Sequence, residues 1–362
     1  MGIFIFIVFL LSFITAGCMQ RDDSRDNEAA SLNKNDSAGK KNDAIILTQE
    51  VQKLEPGLSA VKYEGSNGFD KFLAQGGAAS DAEVADFLLR NLLTDGMEIS
   101  IGEVPFGCST ISVKDGNENM LFGRNFDWNS CNAMIVYAVP ETGYASISTV
   151  NTDFIGMTGL KLSELPDRIQ ALIALYAPLD GMNEKGFAVS VNMIQDSAGI
   201  SQNTDKPDIT TTTAIRLLLE QASDVEEALE LLGRYDMHAS MGYMMHLALA
   251  DKNGHSAVVE YVNNEMIVTE TPVVTNFYFA KGEKNGIGTA QSHERYDTLM
   301  QALSANESMG MEKVRDVLDS VSKDNFGEFE STEWSVVFNQ GTGEVHYYHR
   351  ENYKQRYIFN LR

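Results

Sequence analysis

In the stretch FGCSTISVKDGNENMLFGRNFDW, residues 106–128, a cysteine follows a glycine and heads two short apolar runs joined by Lys-Asp-Gly-Asn-Glu-Asn. Apolar runs split by such turn residues predict a β-hairpin. If the turn lies within residues 115–119, antiparallel pairing sets Cys108 opposite a residue between Gly123 and Phe126. Arg124 and Asp127 then come close to the cysteine across the ladder.

A thiol is mostly protonated at neutral pH and needs a base or a nearby cation to become a nucleophile. No histidine is close in sequence. The alternative base is the cysteine's own α-amine, whose pKa of about 7.7–8.0 suits proton transfer. That amine exists only if the Gly107–Cys108 peptide bond is cut. Gly107 is the least bulky neighbour a residue can have and leaves its carbonyl open to attack by the Cys108 sulfur. The junction therefore reads as a self-cleavage site. Asp127 would orient the freed amine, and Arg124 would lower the thiol pKa and hold an anionic group. The rival enzyme reading is a Cys/His protease drawing on His246, His255 or His293, with no cut before the cysteine. Inert packing is the common fate of a buried cysteine, and Cys131, in Asn-Ser-Cys-Asn, is read that way.

The surrounding pattern supplies the elements that hold these residues. Alternating or apolar runs predict strands at 109–113, 120–128, 132–139 and 145–150, then 187–194, 243–250, 256–261, 266–269 and 273–279, and finally 334–338, 345–348 and 356–361. Helical spacing appears at 164–176, 211–221, 224–235, 293–305 and 311–321, the third of these capped by Asp224 with Glu226 and Glu227 in its first turn. Upstream, Ser80-Asp-Ala-Glu83 is a capping-box signature followed by Val84, Phe87, Leu88 and Leu92 at helical spacing. Strands and helix pairs in this order suit an α+β protein of two antiparallel sheets with helices outside.

With these residues in view, the hairpin resembles the nucleophile hairpin of the choloylglycine hydrolase family, the linear-amide C–N hydrolases with an N-terminal nucleophile. Its Cys, Arg and Asp fall on Cys108, Arg124 and Asp127. DGMNEKGFAVSVN, residues 180–192, resembles a family turn-and-strand whose last Asn lends a backbone N–H to an oxyanion hole. Asn192 comes one residue earlier here than in bile salt hydrolases. In VVTNFYF, Asn276 matches the Asn whose side-chain amide completes that hole. In SHERYDTL, Arg295 matches the arginine that closes the family's catalytic set. TEWSVVFNQGTGEVHYYH resembles the last hairpin.

The resemblance runs from about residue 106 to the end. It implies an αββα four-layer sandwich of the Ntn-hydrolase kind and hydrolysis of an amide between an acyl group and an amine, with no cofactor. Two departures point away from bile salts and from a tetramer. A long segment precedes the cysteine, as in acid ceramidase and N-acylethanolamine acid amidase, so residues 44–107 read as a helical propeptide and 108–362 as the catalytic domain. Only residues 277–294 separate Asn276 from Arg295, where bile salt hydrolases carry a long assembly loop. The expected substrate is a small-molecule N-acyl amide, a fatty one before a conjugated bile salt or a phenoxyacetyl-type penicillin. The non-enzymatic rival is a silent amphiphile-binding lipoprotein.

The chain of 362 residues is 43% hydrophobic, which allows a sizeable core. A formal charge of −23 argues against nucleic acid as a partner. Three cysteines offer no disulfide framework. His238 with His246, and His346 with His349, lack a third ligand nearby, so no metal is expected. MGIFIFIVFLLSFITAGC is shorter than the roughly 20 apolar residues of a spanning helix and fits a signal peptide. It resembles a bacterial lipoprotein signal with Cys18 as the lipidated residue, which would anchor the exported chain to a membrane. Residues 19–43, polar and almost free of large apolar side chains, read as a flexible tether.

Overall fold

The computed structural model describes residues 43–91, 99–101, 107–129, 131–157, 161–196, 198–323 and 330–362. The expected signal peptide, the lipidation site Cys18 and nearly all of the tether lie outside the described residues, as does Leu92. Among the described residues no helix is long and apolar enough to cross a membrane.

The chain opens with β1 (Gln52–Glu55), β2 (Leu58–Glu64), α1 (Phe69–Ala74), α2 (Asp81–Asn91) and β3 (Ile99–Ile101). The hairpin follows as β4 (Gly107–Lys114) and β5 (Met120–Trp128), then β6 (Ala133–Val139), β7 (Ser146–Asn151) and β8 (Ile155–Met157). Next come α3 (Asp167–Ala174), β9 (Asp180–Asn183), β10 (Ala188–Met193), β11 (Asp208–Thr210), α4 (Thr211–Gln221), α5 (Val225–Leu232) and β12 (Asp236–His238). The remainder is β13 (Met245–Ala250), β14 (Ser256–Val262), β15 (Glu265–Glu270), β16 (Val273–Val274), α6 (Ala290–Ala305), α7 (Met311–Asp319), β17 (Ser331–Asn339), β18 (Glu344–His349) and β19 (Tyr357–Asn360).

Two large sheets result. One has nine strands in the order β1-β2-β6-β7-β9-β10-β13-β14-β15; the other has six, β16-β4-β5-β17-β18-β19. They face each other across one apolar core that takes in Phe126, Trp334 and Phe338 from the second sheet and Ile135 and Ile147 from the first. Helices α3 and α4 cover the outer face of the nine-stranded sheet, and α6 and α7 that of the six-stranded sheet, around a second cluster of Ile111, Leu121, Val314, Leu318 and Val337. This is the expected α+β sandwich with helices on both outer faces.

Two features depart from the expectation. The sheets are antiparallel save for one pair, β2 alongside β6, which runs parallel. Hairpin-linked neighbours must be antiparallel, but β2 enters from well upstream and is free of that constraint. Nor is the segment before Cys108 only helical. Its helix α2 forms where expected, with Ser80 Oγ accepting the Glu83 N–H at 3.3 Å. Ahead of it, however, β1 and β2 turn at Pro56-Gly57, where Gly57 takes φ +85°, and join the nine-stranded sheet as its outer strands.

Local chemistry sets the register that matters most. Asp115 Oδ1 accepts the backbone N–H groups of Asn117 and Asn119 at 2.7 and 2.9 Å, closing the β4–β5 turn, and Glu118 takes a left-handed φ of 66°. With the turn closed this way, Cys108 pairs with Phe126, Thr110 with Arg124 and Gly107 with Asp127.

Candidate active site

Side chains on a strand alternate between faces, so this register sorts the hairpin's chemistry. Cys108, Arg124 and Phe126 face the nine-stranded sheet, whereas Asp127 faces the helices α6 and α7. Cys108, Arg124 and Asp127 are all fully buried.

On the inner face, Arg124 Nη2 lies 3.2 Å from Cys108 Sγ and donates to the Val191 carbonyl at 2.9 Å. Its Nη1 donates to the Leu179 carbonyl and pairs with Asp180 Oδ2 at 3.0 Å. Trp334 Nε1 donates to the same carboxylate oxygen at 2.9 Å. Burial pushes the Cys108 thiol up to about 11; Arg124 pulls it down and Asp127 adds to the rise. In the intact chain the thiol therefore holds its proton at neutral pH.

On the backbone side, Cys108 N–H donates to Asn276 Oδ1 at 2.8 Å. Arg295 spans the rest. Its Nη1 donates to the Cys108 carbonyl and to Asp127 Oδ2, both at 2.9 Å, and its Nη2 donates to Asn276 Oδ1 at 2.8 Å. Asn276 Nδ2 donates to the Met193 carbonyl at 2.6 Å, so every partner of the amide is consistent with one orientation.

The expected strand through residues 273–279 stops at Val274, and the reason lies here. Val274 pairs with Thr110, which puts Asn276 in register with Cys108. The backbone of Asn276 instead turns to α6, where its N–H donates to Ser292 Oγ at 2.6 Å, and its side chain takes over the bond to Cys108. Ser292 is held in place by Thr289, whose hydroxyl caps α6 by accepting the Ser292 N–H at 3.1 Å. From Thr332, the hydroxyl donates to Asp127 Oδ1 at 2.7 Å.

Asn192 stands apart from this cluster. Val191 N–H donates to the Leu179 carbonyl at 2.9 Å and Ile194 N–H to the Met244 carbonyl at 2.8 Å. Along β10, then, odd-numbered peptide groups face β9 and even-numbered ones face β13. Asn192, opposite His246, directs its backbone N–H toward β13. The groups that face the cysteine belong to its neighbours: the Val191 carbonyl lies 3.6 Å from Cys108 Sγ, and the Met193 carbonyl holds Asn276. Thus Cys108, Arg124, Asp127, Asn276 and Arg295 meet in space, and Asn192 is one residue out of step.

The histidines of the rival dyad are engaged elsewhere. His246 bridges Glu260 Oε1 at 3.1 Å and the Thr275 carbonyl at 2.8 Å. His293 Nε2 faces the Gly286 carbonyl at 2.9 Å, and His255, largely exposed, pairs with Asp251 at 3.4 Å. Cys131 is buried, and burial together with Glu333 pushes its thiol well above the ordinary range, as suits an inert thiol.

Sequence reasoning left Asp180, Ser292 and Thr332 without a role. Asp180 opens the DGMNEKG stretch, a signal that could have singled it out. For the other two, contacts made across long chain separations are the only cue.

A comparison with protein families matches residues 108–278 to the family described as linear amide C-N hydrolases, choloylglycine hydrolase family. Among solved structures, a cysteine-to-alanine mutant of the conjugated bile acid hydrolase from Clostridium perfringens is 18% identical with a TM-score of 0.53, over 70% of this chain and 92% of that one. An arginine-to-leucine variant of the same enzyme gives 17%, 0.53, 70% and 92%. The penicillin V acylase from Agrobacterium tumefaciens is 19% identical with a TM-score of 0.48, covering 67% and 83%. A comparison with curated proteins finds no match. The bile acid hydrolase structures share the sandwich fold, and the family match begins at the cysteine on which the buried network closes. Residues 108–278 thus belong to the choloylglycine hydrolase family, hydrolases of non-peptide C–N bonds in linear amides.

Proposed function

We propose that Cys108 is the nucleophile of an N-acyl amide hydrolase that first cuts its own chain between Gly107 and Cys108. The carrying observation is that the site's polar side chains converge on the backbone of this one residue: Asn276 Oδ1 holds its N–H and Arg295 its carbonyl. Such a cradle is of little use to an internal peptide, but it orients a terminal amine. Supporting it, the family match starts at residue 108.

Once the bond is cut, the α-amine takes the thiol proton, Sγ attacks the acyl carbon, and the same proton passes to the leaving amine. Water then hydrolyses the acyl-thioester, again with the amine as base. The side-chain amide of Asn276 and the backbone N–H of Met193, on the cysteine-facing side of β10, would stabilise the oxyanion. Arg124 would favour the thiolate once burial is relieved, and Asp127 and Arg295 would hold the amine in place.

The pre-cysteine segment is proposed to stay bound. Asn67 Nδ2 donates to the buried Glu220 Oε1 at 2.6 Å, Phe69 and Phe72 are fully buried, and loss of β2 would leave β6 an unpaired edge. Export with lipidation at Cys18 would then place the anchor on the smaller fragment. A fatty N-acyl amide remains the favoured substrate, ahead of conjugated bile salts and penicillin V. N-terminal sequencing of active protein tests the scheme: the larger fragment should begin at Cys108, and full activity in an uncut chain would falsify it. Turnover across the three acyl classes then identifies the substrate.

A further inference from the structure

On the helix-facing side of the hairpin, the space where a side chain on residue 107 would stand is already taken. A Cβ there would come within 2.9 Å of Lys323 Nζ and 3.0 Å of Asp127 Oδ2. Lys323 arrives from the segment after α7 with its side chain only 6% exposed. Two bonds pin its backbone to β17: Lys323 N–H donates to Thr332 Oγ1, and Thr332 N–H donates to the Lys323 carbonyl, each at 2.9 Å. The Thr332 hydroxyl passes its own proton toward Asp127. The ammonium contacts Glu330 and stands 3.9 Å from Asp127 Oδ2, a carboxylate that Arg295 already matches at 2.9 Å. A lysine is rarely buried without need, and this one lies against the residue that donates the scissile carbonyl.

Self-cleavage makes that neutral residue anionic twice. As Sγ of Cys108 adds to the Gly107 carbonyl carbon, negative charge gathers on the carbonyl oxygen. The C–N bond then breaks, the Cys108 nitrogen takes up the proton that the thiol gave up, and Gly107 is left as a thioester on Cys108. Water adds, the sulfur leaves as a thiol, and Gly107 ends as a free carboxylate. A fixed cation beside Gly107 gains little from the peptide but much from the oxyanion and the carboxylate, and that difference accelerates the reaction.

We propose, building on the self-cleavage reading above, that Lys323 is a processing residue: its ammonium stabilises the negative charge formed on Gly107 during the cut. A side chain at 107 would press on the Lys323 ammonium and on Asp127, which glycine avoids. Arg295, bound to the Cys108 carbonyl, stays with the mature N-terminus, whereas Lys323 serves the departing side of the bond.

Pulse-chase of the full-length chain tests this. Conversion of precursor to two fragments is followed for wild type, Lys323→Met and Lys323→Arg, and turnover is measured per cleaved chain. Lys323→Met is expected to slow conversion by about tenfold or more, Lys323→Arg to restore most of the rate, and turnover per cleaved chain to stay near wild type in both. Conversion of Lys323→Met at the wild-type rate overturns the proposal. So does a loss of per-chain turnover equal to the loss of conversion, because Lys323 would then be a general support of the site. Thermal unfolding of Lys323→Met in a Cys108→Ala background checks the fold; should it be unfolded, Lys323→Gln against Lys323→Arg decides, and equal conversion rates reject the role. A wild-type chain that hydrolyses amides uncut removes the self-cleavage reading and this one with it. Wild type cut, with Lys323→Met cut equally fast, removes the Lys323 role alone.

Discussion

Arg124 and Asp180 form an ion pair of 3.0 Å in which neither side chain is exposed. The pair aims the guanidinium at Cys108 Sγ, because a planar fork tied at one nitrogen has little freedom left at the other. Burial holds the Asp180 carboxyl above its ordinary range, with Arg124 opposing, so the pair exists only while both members are present. Asp180→Asn is expected to lower folding stability by about 3–5 kcal/mol, the usual cost of stranding one buried charge, and to reduce turnover of whatever folds. Urea unfolding with activity measured per folded molecule checks both. A variant as stable as wild type would mean that Arg124 is held by its carbonyl contacts alone.

Alkylation should separate the uncut from the cut chain. With its thiol pushed up to about 11 by burial, uncut Cys108 is protonated at pH 7, and its reactivity should rise only as the pH climbs toward that value. The mature cysteine, with its amine freed, should react near neutral pH. One digest of a partly processed sample reports both, since the peptide spanning 107–108 and the peptide starting at Cys108 differ in mass. Equal labelling of the two at pH 7 would contradict the burial argument.

Asn276 serves Cys108 N–H, Arg295 and the Met193 carbonyl at once. Asn276→Ala is expected to cost on the order of 10²–10³ in kcat, as for loss of an oxyanion donor, and also to slow processing. Measured kcat within a few-fold of wild type would remove Asn276 from the reacting set.

Retention of the smaller fragment rests on β2 and on Asn67. In detergent extracts the two fragments should co-purify on gel filtration. Asn67→Leu, which strands Glu220 without its 2.6 Å donor, should lower the melting temperature and loosen the association, at a cost of about 1.5–3 kcal/mol for a hydrogen bond to a charged group. Wild-type fragments that separate in mild buffer would refute the retention.

Much of the fold is legible in the sequence, most readily where the periodicity is long and the ends are capped. The strand at 120–128 and the helix at 211–221 keep their expected bounds, and Asp224 caps α5 by accepting the Glu227 N–H at 2.9 Å. The strand pair before α1 is not legible in the sequence although Pro56-Gly57 is a turn signal, because its strands are short and β2 takes its second partner, β6, from far along the chain.

Residue types and near spacing were enough to bring Cys108, Arg124 and Asp127 together, since a hairpin's turn chemistry dictates which residues end up opposite one another. Which side of the sheet each would serve, and that Asp180 stands behind Arg124, required the packing of two sheets: Asp180 is 56 residues from Arg124 and its pairing leaves no local trace. Asn192 makes the same point. A strand's alternation is visible in its letters, but which alternate set of peptide groups faces Cys108 is decided only when β10 takes its place between β9 and β13. Chain-local geometry follows from short-range sterics and hydrogen bonds; the direction in which a buried group points follows from neighbours that only the folded chain supplies.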